Sequence, residues 1–98
     1  MARIGESELS RYRSLDVSDV LPRLAEHVKA DPTFVPIKDH ATARWHVTAQ
    51  GREYELLSLG PKFYDTRQRR GGGGAVDLAM HLLGVDFRGA VERLRMVL

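Results

Sequence analysis

The 98 residues contain no cysteine. That single absence excludes disulfides, thiol catalysis and every cysteine-based zinc site. The remaining metal-ligand types do not compensate, because His27, His40, His46 and His81 are scattered without a shared spacing,. Long apolar runs are missing too, so no stretch approaches the ~20 residues that a membrane-spanning helix requires. Met1 to Ser10 is polar and lacks the apolar core of a signal peptide, which makes the cytoplasm the expected location.

What is present has a globular profile, with 43% hydrophobic and 29% charged residues,. A chain of this length is expected to form one domain and to bury roughly 65% of its unfolded surface. Net charge is only +2 but is unevenly placed. Six basic and seven acidic residues precede Ala41, six basic and three acidic fall between Ala41 and Gly72, and three of each follow. The basic excess in the middle suits an anionic partner.

Residues 1–15 show no apolar period and are expected to be a flexible N-terminal arm,. Val17, Val20, Leu21, Leu24 and Val28 recur at helical spacing and predict a helix over Ser18 to Lys29, with Asp16 or Ser18 as its cap,. Pro22 fits such a helix only near its first turn. Asp31-Pro32 ends it, and strands are expected over Thr33 to Ile37, Arg44 to Ala49, Arg52 to Leu59 and Lys62 to Asp65,. Gln50-Gly51 marks a hairpin turn and Gly60-Pro61 a break. Strand alternation puts Trp45, Val47 and Ala49 on one face, and Tyr54 with Leu56 on one face of the next strand. Thr66 to Gly74 reads as a loop, since four consecutive glycines lose too much entropy inside an element. Two helices follow. The first carries Ala75, Val76, Ala79, Leu82 and Leu83 and ends at Gly84; the second is capped by Asp86 and carries Phe87, Ala90, Val91, Leu94, Val97 and Leu98,. The expected fold is α+β: an N-terminal helix, a small antiparallel sheet of three or four strands, and two C-terminal helices packed on it.

The densest chemistry lies between Lys62 and Met80. Arg67, Arg69 and Arg70 precede Gly71, Gly72, Gly73 and Gly74, and a helix begins at once. Glycines permit close backbone approach, free amides of a helix start attract anions, and guanidinium forks suit phosphate oxygens. The stretch is neither a mononucleotide P-loop nor a dinucleotide fingerprint, since it lacks the Gly-Lys-Ser/Thr ending and the Gly-x-Gly-x-x-Gly spacing. A solvated turn with a chance group of arginines has the same composition. Trp45, Tyr54, Phe63 and Tyr64 fall on the strands with Arg44, Arg52 and Lys62 between them. Exposed rings interleaved with cations bind single strands, although a lone tryptophan also serves as core. No catalytic order of side chains emerges: Asp65, Asp77 and Asp86 have turn or cap roles, and Glu53 and Glu55 suit a solvated strand face.

Phe63-Tyr64, Gly72-Gly73-Gly74-Ala75-Val76-Asp77-Leu78, Met80 and Gly84-Val85-Asp86-Phe87 followed by Ala90-Val91 and Leu94 resemble the N-terminal zinc-finger domain of bacterial-type DNA primases. The likeness is strongest to divergent forms in primase-like and relaxase-associated proteins of plasmids and other mobile elements. It spans Asp16 to Leu94, so residues 16–98 are expected as the domain. Zinc-bearing members hold cysteines where Asp65 to Arg69 stand here. The resemblance therefore implies a metal-free version with no cofactor. It further implies a non-catalytic template-binding module for single-stranded DNA, in DNA replication or conjugative transfer. Its partner would be a primase catalytic domain or a relaxase, on the same chain or another. The expected contacts are Lys62, Arg67, Arg69 and Arg70 with Arg44 and Arg52 on phosphates, the backbone of Gly71 to Gly74 for close approach, and Tyr64 with Trp45 on bases. The alternative is a protein-interaction or regulatory domain that lost DNA binding along with zinc, with an apolar patch on the last helix at Val97 and Leu98.

Overall fold

The computed structural model describes residues 3–98. Its elements run α1 (Glu6–Ser14), α2 (Val17–Leu24), β1 (His27–Ala30), β2 (Ala43–Ala49), β3 (Arg52–Leu59), β4 (Lys62–Asp65), β5 (Arg70–Gly73), α3 (Ala75–Leu83) and α4 (Phe87–Val97). The fold is α+β, with one antiparallel five-stranded sheet in sequential order β1 to β5. No helix among the described residues is long and apolar enough to cross a membrane.

The sheet is a meander because each connection favours a reversal. Gln50 and Gly51 both take positive φ, 52° and 74°, which is the geometry that closes a two-residue hairpin between the paired Ala49 and Arg52,. Gly60, at φ 57°, turns β3 into β4. Alternation then sorts the faces. Val47, Ala49, Tyr54, Leu56 and Phe63 are buried with Leu21, Leu78, Leu82, Val91 and Leu94 of the helices. On the opposite face His27, Lys29, His46, Glu53, Lys62 and Tyr64 are exposed.

Four expectations are corrected. First, the expected flexible arm is largely α1. Its apolar residues are too few for a helical period, but Tyr12 is fully buried and its hydroxyl donates to Glu8 at 2.8 Å. Glu8 in turn accepts from Nε and Nη2 of Arg95 on α4, each at 2.7 Å. That guanidinium, with the Tyr12 hydroxyl, holds the Glu8 carboxyl down at about 2. Tertiary docking orders this segment where periodicity gave no signal, and the folded unit begins before Asp16. Met1 and Ala2 of the expected arm lie outside the described residues.

Second, the helix expected over Ser18 to Lys29 stops at Leu24, with Pro22 in its second turn. Val28 leaves the helical stripe to pair with Val47 across β1 and β2, and the Gln50 amide donates to Glu26 at 2.7 Å. The short helix needs few of the hydrogen bonds that proline removes.

Third, Thr33 to Ile37 is not a strand. The Asp31 carboxylate accepts from both the amide and the hydroxyl of Thr33, at 2.9 and 2.7 Å. A local turn thus wins over β propensity, and Val35 and Ile37 stand in solvent.

Fourth, the glycine run is not a loop. Arg70–Gly73 is the edge strand β5, paired with β4 so that Gly72 faces Phe63 and Gly71 faces Tyr64. A Cβ at Gly72 would sit 2.9 Å from the Phe63 ring and 3.2 Å from Cβ of Asp77. The absence of side chains is what lets this edge lie between a ring and a helix. Only Thr66 to Arg69 remain as a turn, with Arg69 left-handed at φ 56°.

Candidate nucleic-acid interface

β4 sets the geometry. Its alternation sends Phe63 and Asp65 to the helix side and Lys62 and Tyr64 to the open side. Tyr64 lies across from Leu57 on β3 and Gly71 on β5. It is 43% exposed, and a Cβ at Gly71 would press on its ring at 3.2 Å. Glycine therefore gives the ring room at the sheet surface. Lys62 is beside it and Arg69 is at the turn tip, both exposed and with no hydrogen bond or ion pair among the described residues.

The other expected contacts disperse. Arg67 reaches the open face but bonds Glu55 at 3.2 Å, and Arg44 bonds the second Glu55 oxygen at 2.7 Å. Arg44, ahead of Arg67, holds the Glu55 carboxyl below its ordinary range. His46 completes this cluster, 3.4 Å from Asp31 and 3.8 Å from Glu55. The Asp31 carboxyl is likewise lowered, chiefly by its Thr33 hydrogen bonds. Trp45 faces the helix side, half-buried against the core, and its indole N–H donates to Ser58 at 2.9 Å. It is a packing residue and does not share a surface with Tyr64. Tyr54 and Phe63 are buried in the same layer.

Arg52 and Arg70 also leave the expected surface. Arg52 pairs with buried Ala49, and Arg70 pairs with buried Asp65, so register turns both towards the helix side. The helix-start amides do not stand open either. Gly74, Ala75 and Val76 are buried, with a Cβ at Gly74 3.1 Å from Cα of Arg13 on α1. The Gly73 amide donates to Asp77 at 3.2 Å. The loop arginines thus reach different surfaces: Arg67 the open face, Arg70 the helix side and Arg69 the tip between them.

The turn that carries them is built on Asp65. Its side chain is 1% exposed. Oδ1 accepts from the amides of Arg67 and Gln68, both at 2.9 Å. Oδ2 lies 2.7 Å from Nε2 of His81 on α3. The His81 ring meets Tyr54 edge-on at 5.7 Å and Phe63 at 5.6 Å. Read separately, His81 was an isolated histidine and Asp65 a turn residue. One signal was available: strand alternation puts Asp65 on the face of Phe63, and a carboxylate at a core position needs a buried partner. Among the described residues no three His, Asp or Glu side chains converge as a metal site.

The architecture defines an α+β protein whose five-stranded meander is covered by helices on one face and open on the other. Over 80 residues the chain is 34% identical to a 65 kDa protein of Zymomonas mobilis, a match covering 82% of this chain and 12% of that protein. The chain thus spans about an eighth of the length of this curated relative. No family model matches the sequence, and no solved structure matches it.

Proposed function

We propose that the chain is a non-catalytic single-stranded DNA-binding module of a primase-like replication or conjugative-transfer protein. It would act beside a primase catalytic domain or a relaxase. The observation that carries this reading is Tyr64, an exposed ring on an open sheet face, with Lys62 on the same strand face and Arg69 at the tip of the adjoining turn, neither side chain ion-paired among the described residues. An aromatic platform with neighbouring cations holds bases by stacking and backbone by charge, without reading sequence. Arg44 and Arg67 add to it only when phosphate oxygens displace Glu55. The sequence resemblance to primase zinc-finger domains supports the same reading. The turn Asp65 to Arg69, where those domains place cysteines, is held here by the Asp65 carboxylate and His81.

The test is fluorescence anisotropy with a labelled single-stranded oligonucleotide at two salt concentrations. Wild type is expected to bind at low salt. Tyr64→Ala should lose ~1–3 kcal/mol of binding free energy. The double variant Lys62→Ala/Arg69→Ala should flatten the log affinity against log salt slope by roughly 0.7 per lost phosphate contact. Absence of binding at low salt, or an unchanged slope, removes the assignment.

A second reading, a protein-interaction domain, draws on exposed Val35 and Ile37 in the 31–42 loop and on Phe87, Met96 and Leu98 at the last helix, whereas Val97 of the expected patch packs against the core. Light scattering distinguishes it by a dimer or larger species.

A further inference from the structure

A cleft of about 540 Å³ opens on the helix side of the sheet, between the ends of β3 to β5 and α3. Arg52 and Arg70 stand on it with Gln68, and His81 and Asp77 line it from α3. Neither arginine side chain has a hydrogen bond or ion pair among the described residues. The two come from strands separated by β4, yet register turns both to this side. Two guanidinium groups that border one cleft, neither paired with a carboxylate, offer counter-charge to an anion held there,.

The floor of the cleft is rigid. His81 is 8% exposed, fixed by Asp65 through Nε2 and wedged against Tyr54 and Phe63. With Asp65 ionised, Oδ2 accepts from Nε2–H, and among the described residues the other ring nitrogen has no hydrogen-bond partner. That nitrogen serves a phosphate in either protonation state: neutral, it accepts from a P–OH; protonated, it donates to P–O⁻. Asp77, a carboxylate on the rim, accepts from the Gly73 amide through Oδ2 at 3.2 Å. Gly84 also lines the cleft, with no side chain to narrow it, and the backbone of Gly71 borders it. Its volume falls within the range of sites for small ligands,.

The geometry points to a binding site for a phosphate monoester of nucleotide size, clamped by Arg52 and Arg70 over His81. This site lies on the opposite side of the sheet from Tyr64 and does not depend on the open-face reading. A free mononucleotide and the 5′-phosphate end of a strand present the same group.

The experiment is an NMR titration of the full chain, following the His81 ring and arginine side-chain signals, with deoxyadenosine 5′-monophosphate and with deoxyadenosine. The monophosphate is expected to give saturable shifts at millimolar concentration or below, and the nucleoside none. Arg52→Gln and Arg70→Gln, surface changes checked for an unaltered unfolding midpoint, should each weaken binding about tenfold or more. Lys62→Gln and Arg69→Gln should leave it unchanged. No saturable shift, equal shifts from the nucleoside, or shifts that survive both cleft-arginine changes overturn the site. Competition by a short 5′-phosphorylated oligonucleotide, against its 5′-hydroxyl form, shows whether strand ends enter; without competition the ligand is the free mononucleotide. Loss of oligonucleotide binding in Tyr64→Ala with monophosphate binding intact separates this site from the open face.

Discussion

On the open face of the sheet, Arg44 and Arg67 converge on Glu55 at 2.7 and 3.2 Å. On the helix-covered face, the Arg52 and Arg70 side chains border a cleft that Asp77 also lines, and among the described residues neither forms an ion pair; the carboxylate held by the histidine below, Asp65, is buried. Four arginines of one basic segment are thus divided between neutralised and unopposed. Charge counted along a chain says little about charge on a surface, because strand alternation separates neighbours and pairing brings distant acids back. The two carboxylates differ in the same way: Glu55 is a solvent-side clamp, whereas Asp65 is a structural centre.

The largest test of that contrast is Asp65→Ala. It leaves the Arg67 and Gln68 amides and His81 without their acceptor in a dry site, and is expected to cost about 3 kcal/mol or more. Urea denaturation measures it. Glu55→Gln should shift the midpoint far less, since Glu55 and the arginine heads it binds are partly exposed,. Equal effects would erase the distinction between the two carboxylates.

The next test lies within the glycine strand. Gly72→Ala drives a methyl into the Phe63 ring and is expected to cost about 1–3 kcal/mol. Gly73→Ala, which meets nothing within 4 Å, should stay within about 0.5 kcal/mol of wild type. A similar loss at both would show that the Phe63 contact does not govern this edge.

Smaller is the effect of releasing the open-face arginines. Glu55→Gln should steepen the salt dependence of single-strand binding by roughly 0.7 for each arginine that gains a phosphate. Monophosphate binding in the cleft should not move.

The mildest effect is acid sensitivity. Glu8, Asp31 and Glu55 all titrate below their ordinary values in the folded chain. A depressed folded value gives stability that is present above the unfolded value and is lost as pH falls through the folded one. For Glu8 that window runs from 4.5 down to about 2. The denaturation midpoint should fall with pH there, and Glu8→Gln should flatten part of the decline.

Much of the fold was legible because its signals are local. Arg52 to Leu59 and Lys62 to Asp65 follow from alternation between turn residues, and α3 and α4 from apolar period, Gly84 and Asp86. Periodicity overextends the first helix because Val28 satisfies a helical period and a strand face equally. No local signal marks α1, because Tyr12 and Arg95 meet only across the fold. None marks the glycine strand either, because it is fitted to Phe63 and Asp77 rather than specified by its own composition. Of the expected interface, Tyr64, Lys62 and Arg69 share accessible surroundings, whereas Trp45 packs on the core and Arg44 and Arg67 are held by Glu55.

By itself the sequence determined the α+β class, the hairpin turns, the two C-terminal helices and the absence of thiol chemistry, since each rests on residues within a few positions of one another. Only the tertiary structure decided which arginines are free, which ring faces solvent, and that Asp65 and His81 form one buried pair. Those outcomes depend on strand register and on docking between segments far apart in the chain, and no local pattern carries them.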